Sequence, residues 1–310
     1  MNHITIGVPV FNEESNIAQL IHELFQQKNN TFILDKIIVI CDGSTDNTHR
    51  ILQDLTKHYP KLTYIYDHIR RGVTIRTQQL INLNRSDILI FFDGDTMPAN
   101  ADTLEKLVRV FNDESVELTS AALIPVRPST QFEHMHYAWR SIWTTLTHNW
   151  KKGNNIYNFR GVGIALRKTF ADSILLPKDI TGASSHFLYL TAKQRSLKTI
   201  FCKTAIIHYR LATTLEDYLL QLNRGGKDSH ILRSMFPEIY KAEYSIPVSV
   251  RINNILKNMV NKPFETVMGL IFHIVTSYSN KEAKPSDKNG IWKSVKSTKV
   301  LIQNNTISNI

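Results

Sequence analysis

The chain has 310 residues, 42% of them hydrophobic and 21% charged, with a net charge of +10. That is enough apolar content for one large or two small domain cores, which excludes a globally disordered chain and a staple-dependent miniprotein. Two cysteines, Cys41 and Cys202, cannot build a disulfide framework, and Met1-Asn2-His3-Ile4 has no basic stretch leading into a long apolar one, so a cytoplasmic, reducing setting is expected.

The first half alternates two periodicities. Ile4 to Val10, Lys36 to Cys41, Leu62 to Tyr66 and Asp87 to Phe92 are short β-branched runs that read as strands. Between them apolar residues recur at helical spacing. The first helix carries Ile17, Leu20, Ile21, Leu24 and Phe25 on one stripe, with Asn12 as its expected cap and Glu13 and Glu14 at the positive end of its dipole. A second carries Ile51, Leu52 and Leu55, a weaker third runs from Thr74 to Leu83, and a fourth aligns Leu104, Leu107, Val108 and Phe111. This rhythm predicts an α/β fold with a mostly parallel sheet covered on both faces.

Past residue 125 the pattern changes. Phe132 to Trp150 is aromatic-rich and reads as an amphipathic helix; strand-like runs at Ile156 to Leu166 and Ile200 to Ile207 flank a helical Phe187 to Lys193. Helices at Leu215 to Asn223 and Asp228 to Met235 follow, then helical patches up to Ser279 and a loop-like Asn280 to Gly290. The expected division is a domain at 1–240 and a basic, partly helical extension with a flexible end at 241–310. From Lys241 onward nine Lys and one Arg face four acids, so the extension holds six of the ten net positive charges. Such an excess is either a solvated surface or a site for anionic lipid headgroups or an anionic acceptor. No zinc-finger, RNA-binding or helix-turn-helix motif accompanies it, so no nucleic-acid partner is expected. The longest nearly apolar run, Val267 to Val275, contains His273 and falls short of the ~20 residues that span a bilayer.

Three segments carry chemistry. Phe91-Phe92-Asp93-Gly94-Asp95 ends an apolar strand with two carboxylates around a glycine, hard oxygen donors that suit Mg²⁺ or Mn²⁺ where a buried strand opens into a loop. Ile37 to Cys41 runs into Asp42-Gly43-Ser44-Thr45-Asp46, where Asp42 can accept from a nucleobase and Thr45 or Asp46 can cap a helix. Gly7-Val8-Pro9-Val10-Phe11-Asn12-Glu13-Glu14 puts a third strand end at the same edge.

In this order and spacing the three segments resemble the inverting glycosyltransferases of family 2, over roughly residues 3 to 230. The resemblance implies a GT-A, Rossmann-like nucleotide-diphospho-sugar transferase fold with a helical C-terminal extension. It implies that Pro9, Phe11 and Glu13 frame the nucleoside, Asp42 binds the base, Asp93 lies near the ribose and metal, and Asp95 ligates Mn²⁺ or Mg²⁺. His208 falls where many such enzymes place a metal-binding histidine, Gly161 in Phe159-Arg160-Gly161-Val162-Gly163 looks like the glycine loop by the donor sugar, and Arg71, with Arg70, precedes the third helix within reach of a diphosphate. Cys41 stands where many relatives have Asp. Gln221-Leu222-Asn223-Arg224 keeps the Gln and Arg of a motif found in processive members, with Gly225 in place of its tryptophan.

The acid that would deprotonate the acceptor is missing, because its slot falls on Ser184 or Ser185. Neither serine can act as a base, which leaves three readings: His186 serves instead, the acceptor arrives already ionised, or the protein binds a donor without turning it over. The resemblance therefore implies a metal-dependent transferase moving a sugar from a nucleoside-diphosphate sugar, with UDP the expected nucleotide, to a glycan or lipid-linked acceptor, and the basic tail with the apolar patch at Val267 to Val275 suggests peripheral contact at the anionic inner surface of the membrane. A catalytically silent sugar-nucleotide-binding protein is the rival reading. A nucleotidyltransferase is disfavoured, since Pro9-Val10-Phe11-Asn12 stands where its glycine-rich basic loop is expected.

Overall fold

The computed structural model describes residues 1–223, 226–281, 295 and 297–301. Strands β1 (Asn2–Val10), β2 (Phe32–Asp42), β3 (Leu62–Asp67) and β4 (Ile88–Phe91) alternate with helices α1 (Ile17–Phe25), α2 (Thr48–His58) and α3 (Val73–Leu83). They pair in parallel in the order β3-β2-β1-β4, with Ile6 in register with Ile37 on one side and Ile90 on the other. Ile4, Ile6 and Val8 are buried on one face of β1 while Thr5 is equally buried on the other, as a central strand with helices on both sides requires. Gly7 lets α3 come close, since a Cβ there would sit 3.0 Å from the Leu80 side chain.

The sheet continues through β5 (Thr96–Pro98), β6 (Val116–Pro125), β7 (Ile164–Arg167) and β8 (Lys198–Tyr209), giving eight strands in the order β3-β2-β1-β4-β7-β6-β8-β5. Strand β7 runs antiparallel between β4 and β6, β6 and β8 are parallel, and the short β5 returns antiparallel along β8. Helix α4 (Thr103–Arg109) covers β8, and α5 (Gln131–Asn149), opened by a Thr130–Glu133 capping box, is the aromatic helix expected from the sequence.

The remaining helices are α6 (Lys168–Asp172), α7 (Ser184–Gln194), α8 (Leu215–Asn223), α9 (Gly226–Met235), α10 (Pro237–Tyr244), α11 (Val248–Asn261) and α12 (Pro263–Lys281). Helix α12 packs on α5, where Phe272 meets Phe132 and His136, His273 stacks on Trp139 at 3.9 Å, and Gly269 allows contact so close that a Cβ would lie 2.7 Å from the Trp139 amide.

Two local expectations are corrected. Asn12 does not cap α1: it adopts left-handed φ of 54°, and the helix starts at Ile17, with the Glu13 carbonyl accepting from the Asn16 and Ile17 amides. The Ile156 to Leu166 run is not one strand. A single 3₁₀ turn at Ile156–Asn158 leads into a loop whose Gly161 and Gly163 have positive φ, and pairing begins only at Ile164. Of the expected loop, Asn280 and Lys281 close α12 and the rest lies outside the described residues, as do Arg224, Gly225 and the expected flexible end.

Candidate active site

The carboxyl ends of β1, β2 and β4 converge, and side chains at the first two are stitched together. The Asn12 amide donates to Ser44 Oγ at 3.0 Å, and Asn12 Oδ1 accepts from the Thr45 amide at 2.8 Å. The Glu13 amide donates to Thr48 Oγ1 at 2.8 Å, and Glu14 Oε2 accepts from the Asn47 amide at 3.0 Å. Asp46 Oδ1 accepts from the Thr48 amide at 3.0 Å, so this acid satisfies one of the free donors at the start of α2. The unusual φ of Asn12 is thus accompanied by cross-loop bonds from both its backbone amide and its side chain.

Asp42 is 4% exposed. Its Oδ1 accepts from the Arg71 amide at 2.8 Å and Arg76 Nε at 2.7 Å, and its Oδ2 from the Gly72 amide at 2.8 Å. Arg76 also donates to Asp67 Oδ2 at 2.7 Å and to the Ile69 carbonyl. These bonds hold the Asp67 carboxyl well below its usual range, with Arg76 the main cause. The Arg71 side chain reaches back to Asp67 at 3.0 Å, whereas the Arg70 guanidinium lies 3.7 Å from the centre of the Phe11 ring. Asp42 therefore organises the 69–72 loop, and Phe11 receives that loop's arginine.

Asp93-Gly94-Asp95 forms the turn between β4 and β5, closed by the Thr96 amide and hydroxyl donating to the Asp93 carbonyl. A Cβ on Gly94 would come 2.5 Å from Glu13 Cγ, so glycine is what allows the turn to lie against the first motif. Burial, reinforced by the Asp95 charge, pushes the Glu13 carboxyl up to about 8, against the lowering effect of Lys299. Lys299 Nζ is bonded to Glu13 Oε1 and to the Phe11 carbonyl at 3.0 Å. Its segment is pinned by Asn16, which donates to the Lys299 carbonyl at 2.7 Å, and by Arg210, which donates to the Val300 carbonyl at 2.8 Å.

The pH consequence has a definite sign. A carboxyl raised in the folded state costs nothing below its unfolded value near 4.5, and its burial costs progressively more as pH climbs toward 8. Wild-type stability relative to Glu13→Gln should fall from pH 5 to pH 8, by roughly 3–5 kcal/mol at ~1.4 kcal/mol per unit. Paired thermal melts at the two pH values check this; parallel pH trends in the two proteins would contradict it.

A cavity of about 90 Å³ opens beside these strands, lined by Pro9, Thr77, Asp93, Gly161, Ser184, Ser185 and neighbouring apolar groups. Pro9 of the first motif, Asp93 of the third and Gly161 of the glycine loop meet here, and Asp93 is the one carboxylate in its wall. Gly161 has φ of 43° and open space where a Cβ would be, so the loop presents bare backbone. Behind it, fully buried Asp228 accepts from the Thr181, Gly182 and Ala183 amides at 2.8–3.0 Å and fixes the entry to α7. Ser184 and Ser185 face the cavity; His186 does not line it. Its Nδ1 lies 3.0 Å from the Tyr244 hydroxyl, and burial drops it to about 4, which keeps the imidazole neutral.

His208 stands opposite Met97 in the β5–β8 pairing, two residues past Asp95, with Nδ1 3.1 Å from the Ile124 carbonyl. Among the described residues no three His, Cys, Asp or Glu side chains converge as a metal cluster, so the expected set of Asp93, Asp95 and His208 is not drawn together. The donor chemistry nevertheless suits a hard divalent cation of the Mg²⁺ kind, which takes one or two carboxylates and completes its shell with phosphate oxygens and water. Glu13 lies close enough to Asp95 to feel its charge, and Lys299 is seated on the Glu13 carboxyl.

The family model described as glycosyl transferase family 2 matches residues 5–174, more than half of the chain. The chain belongs to that family. As a family 2 glycosyltransferase it is 23% identical over 228 residues to the O-antigen chain rhamnosyltransferase RfbN of Salmonella typhimurium, covering 72% of this chain and 71% of that protein. It is 32% identical over 117 residues to a β-monoglucosyldiacylglycerol synthase of Nostoc, 36% of this chain and 24% of that one. The mannosyltransferase PcManGT of Pyrobaculum calidifontis, solved with GDP-Man and Mn²⁺, superposes with a TM-score of 0.61 at 15% identity over 90% of this chain and 86% of its own. A glucosyl-3-phosphoglycerate synthase of Mycobacterium tuberculosis, solved with Mn²⁺, UDP and its product, gives 0.52 at 15% identity over 74% and 79%. These likenesses establish the GT-A fold for this glycosyltransferase.

Sequence reasoning passed over Arg76, Lys299 and Asp228. Arg76 had a legible signal, because it stands four residues before Leu80 on the inner stripe of α3. The other two act across long sequence separations.

Proposed function

We propose that this glycosyltransferase moves a sugar, with inversion, from a nucleoside-diphosphate sugar to an acceptor at the mouth of the cavity formed by Pro9, Asp93, Gly161, Ser184 and Ser185. The meeting of the first and third motifs with the glycine loop and the start of α7 at that one cavity is the observation that carries the reading. Phe11 and the Asp42-ordered loop flank the nucleoside, and Asp42 Oδ2, which accepts one amide, has lone-pair capacity for a base N–H. Asp95, with Asp93 beside it, would hold Mn²⁺ or Mg²⁺ against the diphosphate. Bound there, the cation would offset charge on the departing diphosphate.

The acceptor oxygen attacks the anomeric carbon as the bond to the diphosphate breaks, while Gly161 backbone and the first turn of α7 hold the sugar and exclude water. His186 is turned toward Tyr244 and weakly basic, so the geometry favours an acceptor that is already anionic over one deprotonated by this ring. Thermal melts with UDP, GDP or dTDP, each with and without Mn²⁺, test the reading. One nucleotide should raise the melting temperature by several degrees with the metal, as binding at a hundredfold excess over Kd contributes about 2.7 kcal/mol. No shift with any nucleotide would remove the proposal.

A lipid-linked acceptor is the form we favour. Val248, Ile252, Leu256 and Val260 on α11 recur every four residues and are exposed, as are Phe264, Val267, Ile271, Ile274 and Val275 on α12, with Arg251, Lys257 and Lys262 among them. No helix among the described residues is long and apolar enough to cross a membrane. An apolar surface of this kind flanked by cations suits in-plane attachment to anionic lipid.

A further inference from the structure

Three arginines among the described residues sit on oxygen acceptors. Arg76 lies on Asp42 and Asp67, Arg210 on Glu133, and Arg167 donates to the Phe111, Asp113 and Val116 carbonyls. Arg140 and Arg160 are held differently. Both are half-buried and line a second, small pocket between β6 and α5, and neither has a carboxylate within ion-pair distance among the described residues. Arg140 Nε donates to the Tyr209 hydroxyl at 2.8 Å, while the Arg160 guanidinium carbon lies 5.7 Å from the centre of the same ring. Arg160 Nη1 is buried without a hydrogen-bond partner. Withdrawing a guanidinium donor from water without an acceptor is costly, so a site that keeps two such groups is poised for an anion.

The location ties this pair to the reaction. Tyr209 is the register partner of Thr96, the residue after Asp95, and Arg160 precedes Gly161 of the cavity wall. His148 lines the same pocket, and burial together with the Lys203 and Arg140 charges lowers it to about 4. We propose that Arg140 and Arg160, braced by Tyr209, form a phosphate-binding subsite beside Asp95. A planar guanidinium fork matches the geometry of phosphate oxygens, and two of them line this pocket. The inference rests on the cavity being the transfer site and deepens that reading, since an acceptor that attacks through an ionised phosphate oxygen needs no general base at Ser184 or Ser185. The same chemistry is offered by the donor's diphosphate.

Isothermal titration of the full chain with inorganic phosphate, and separately with UDP and Mn²⁺, distinguishes these sources. Arg140→Gln and Arg160→Gln should each weaken phosphate binding tenfold or more, and Tyr209→Phe, which keeps the ring and loses only the hydroxyl, should weaken it about threefold. A parallel loss of UDP affinity assigns the phosphate to the donor; UDP affinity within twofold of wild type assigns it to the acceptor. Phosphate affinity unchanged in all three folded variants overturns the subsite. Absence of UDP, GDP and dTDP binding to the wild type, with phosphate binding still dependent on the arginines, would sink the transferase site and leave the subsite standing.

Discussion

An Asp95→Asn variant should transfer sugar at about a thousandth of the wild-type rate or less, and melt within about two degrees of it. Asp95 sits half-buried at a turn whose closing bonds are made by the Asp93 carbonyl and Thr96, so losing its charge breaks none of the contacts that hold β4 to β5. Removing the Asp95 charge should also lower the elevated Glu13 carboxyl, because repulsion from Asp95 is the second cause of that elevation. The effect is therefore confined to chemistry. A thousandfold loss corresponds to ~4 kcal/mol of transition-state stabilisation, within the range of a cation-assisted departing group. The measurement is initial transfer rate at saturating Mn²⁺, alongside the melt. A rate within tenfold of wild type would place the leaving-group stabilisation elsewhere in the site.

The parts of this site that were legible from the sequence share one property: they lie at the ends of strongly periodic strands. Ile37 to Ile40 and Ile88 to Phe91 are buried on both faces of a parallel sheet, and such runs identify themselves by composition before any pairing is known. Wherever such a run stops and Asp, Gly, Ser or Thr begins, the chain must be emerging at one rim. That is why Pro9, Asp42 and Asp93 could be placed together without knowing the strand order.

What was not legible depends on partners distant in sequence. Asn12 looks like a helix cap because caps are read from the following residues, but the groups that claim its amide are Ser44 and Thr45, more than thirty positions on. His186 looks like a base by its spacing from the vacant acid slot, yet a helix turns each successive residue by about 100°, so the residue after Ser185 is carried off the face that Ser184 and Ser185 share. In this case the direction is toward Tyr244 of α10. Lys299 reaches Glu13 across 286 positions, and no periodicity encodes that contact. The basic composition of the tail gave only its sign.

Replacing Arg76 with methionine should destabilise the protein by about 3–5 kcal/mol, the range found when one member of a buried ion pair is removed. Arg76 is 3% exposed, and its guanidinium is shared among Asp42, Asp67, Gln79 and the Ile69 carbonyl. Methionine can fill much of the volume, so packing is a minor part of the cost. The major part is Asp42, whose carboxylate would stay buried with its Arg71 and Gly72 amide bonds but without the guanidinium bonded to it. Asp67, about a quarter exposed at its side chain, can turn to water instead. Asp67→Asn should therefore cost under about 1.5 kcal/mol, and an Asp42→Asn, Arg76→Met double variant should recover part of the loss, because an uncharged amide tolerates the site better than an orphaned carboxylate. Urea unfolding of these three variants and of Asp42→Asn alone gives the Asp42–Arg76 coupling directly. Equal losses for Arg76→Met alone and for the double variant would mean that Arg76 acts by packing against the 69–72 loop and not by holding Asp42. The same loop carries Arg70 over Phe11, so the nucleotide that stabilises the wild type should bind Arg76→Met at least tenfold more weakly, even at temperatures where the variant remains folded.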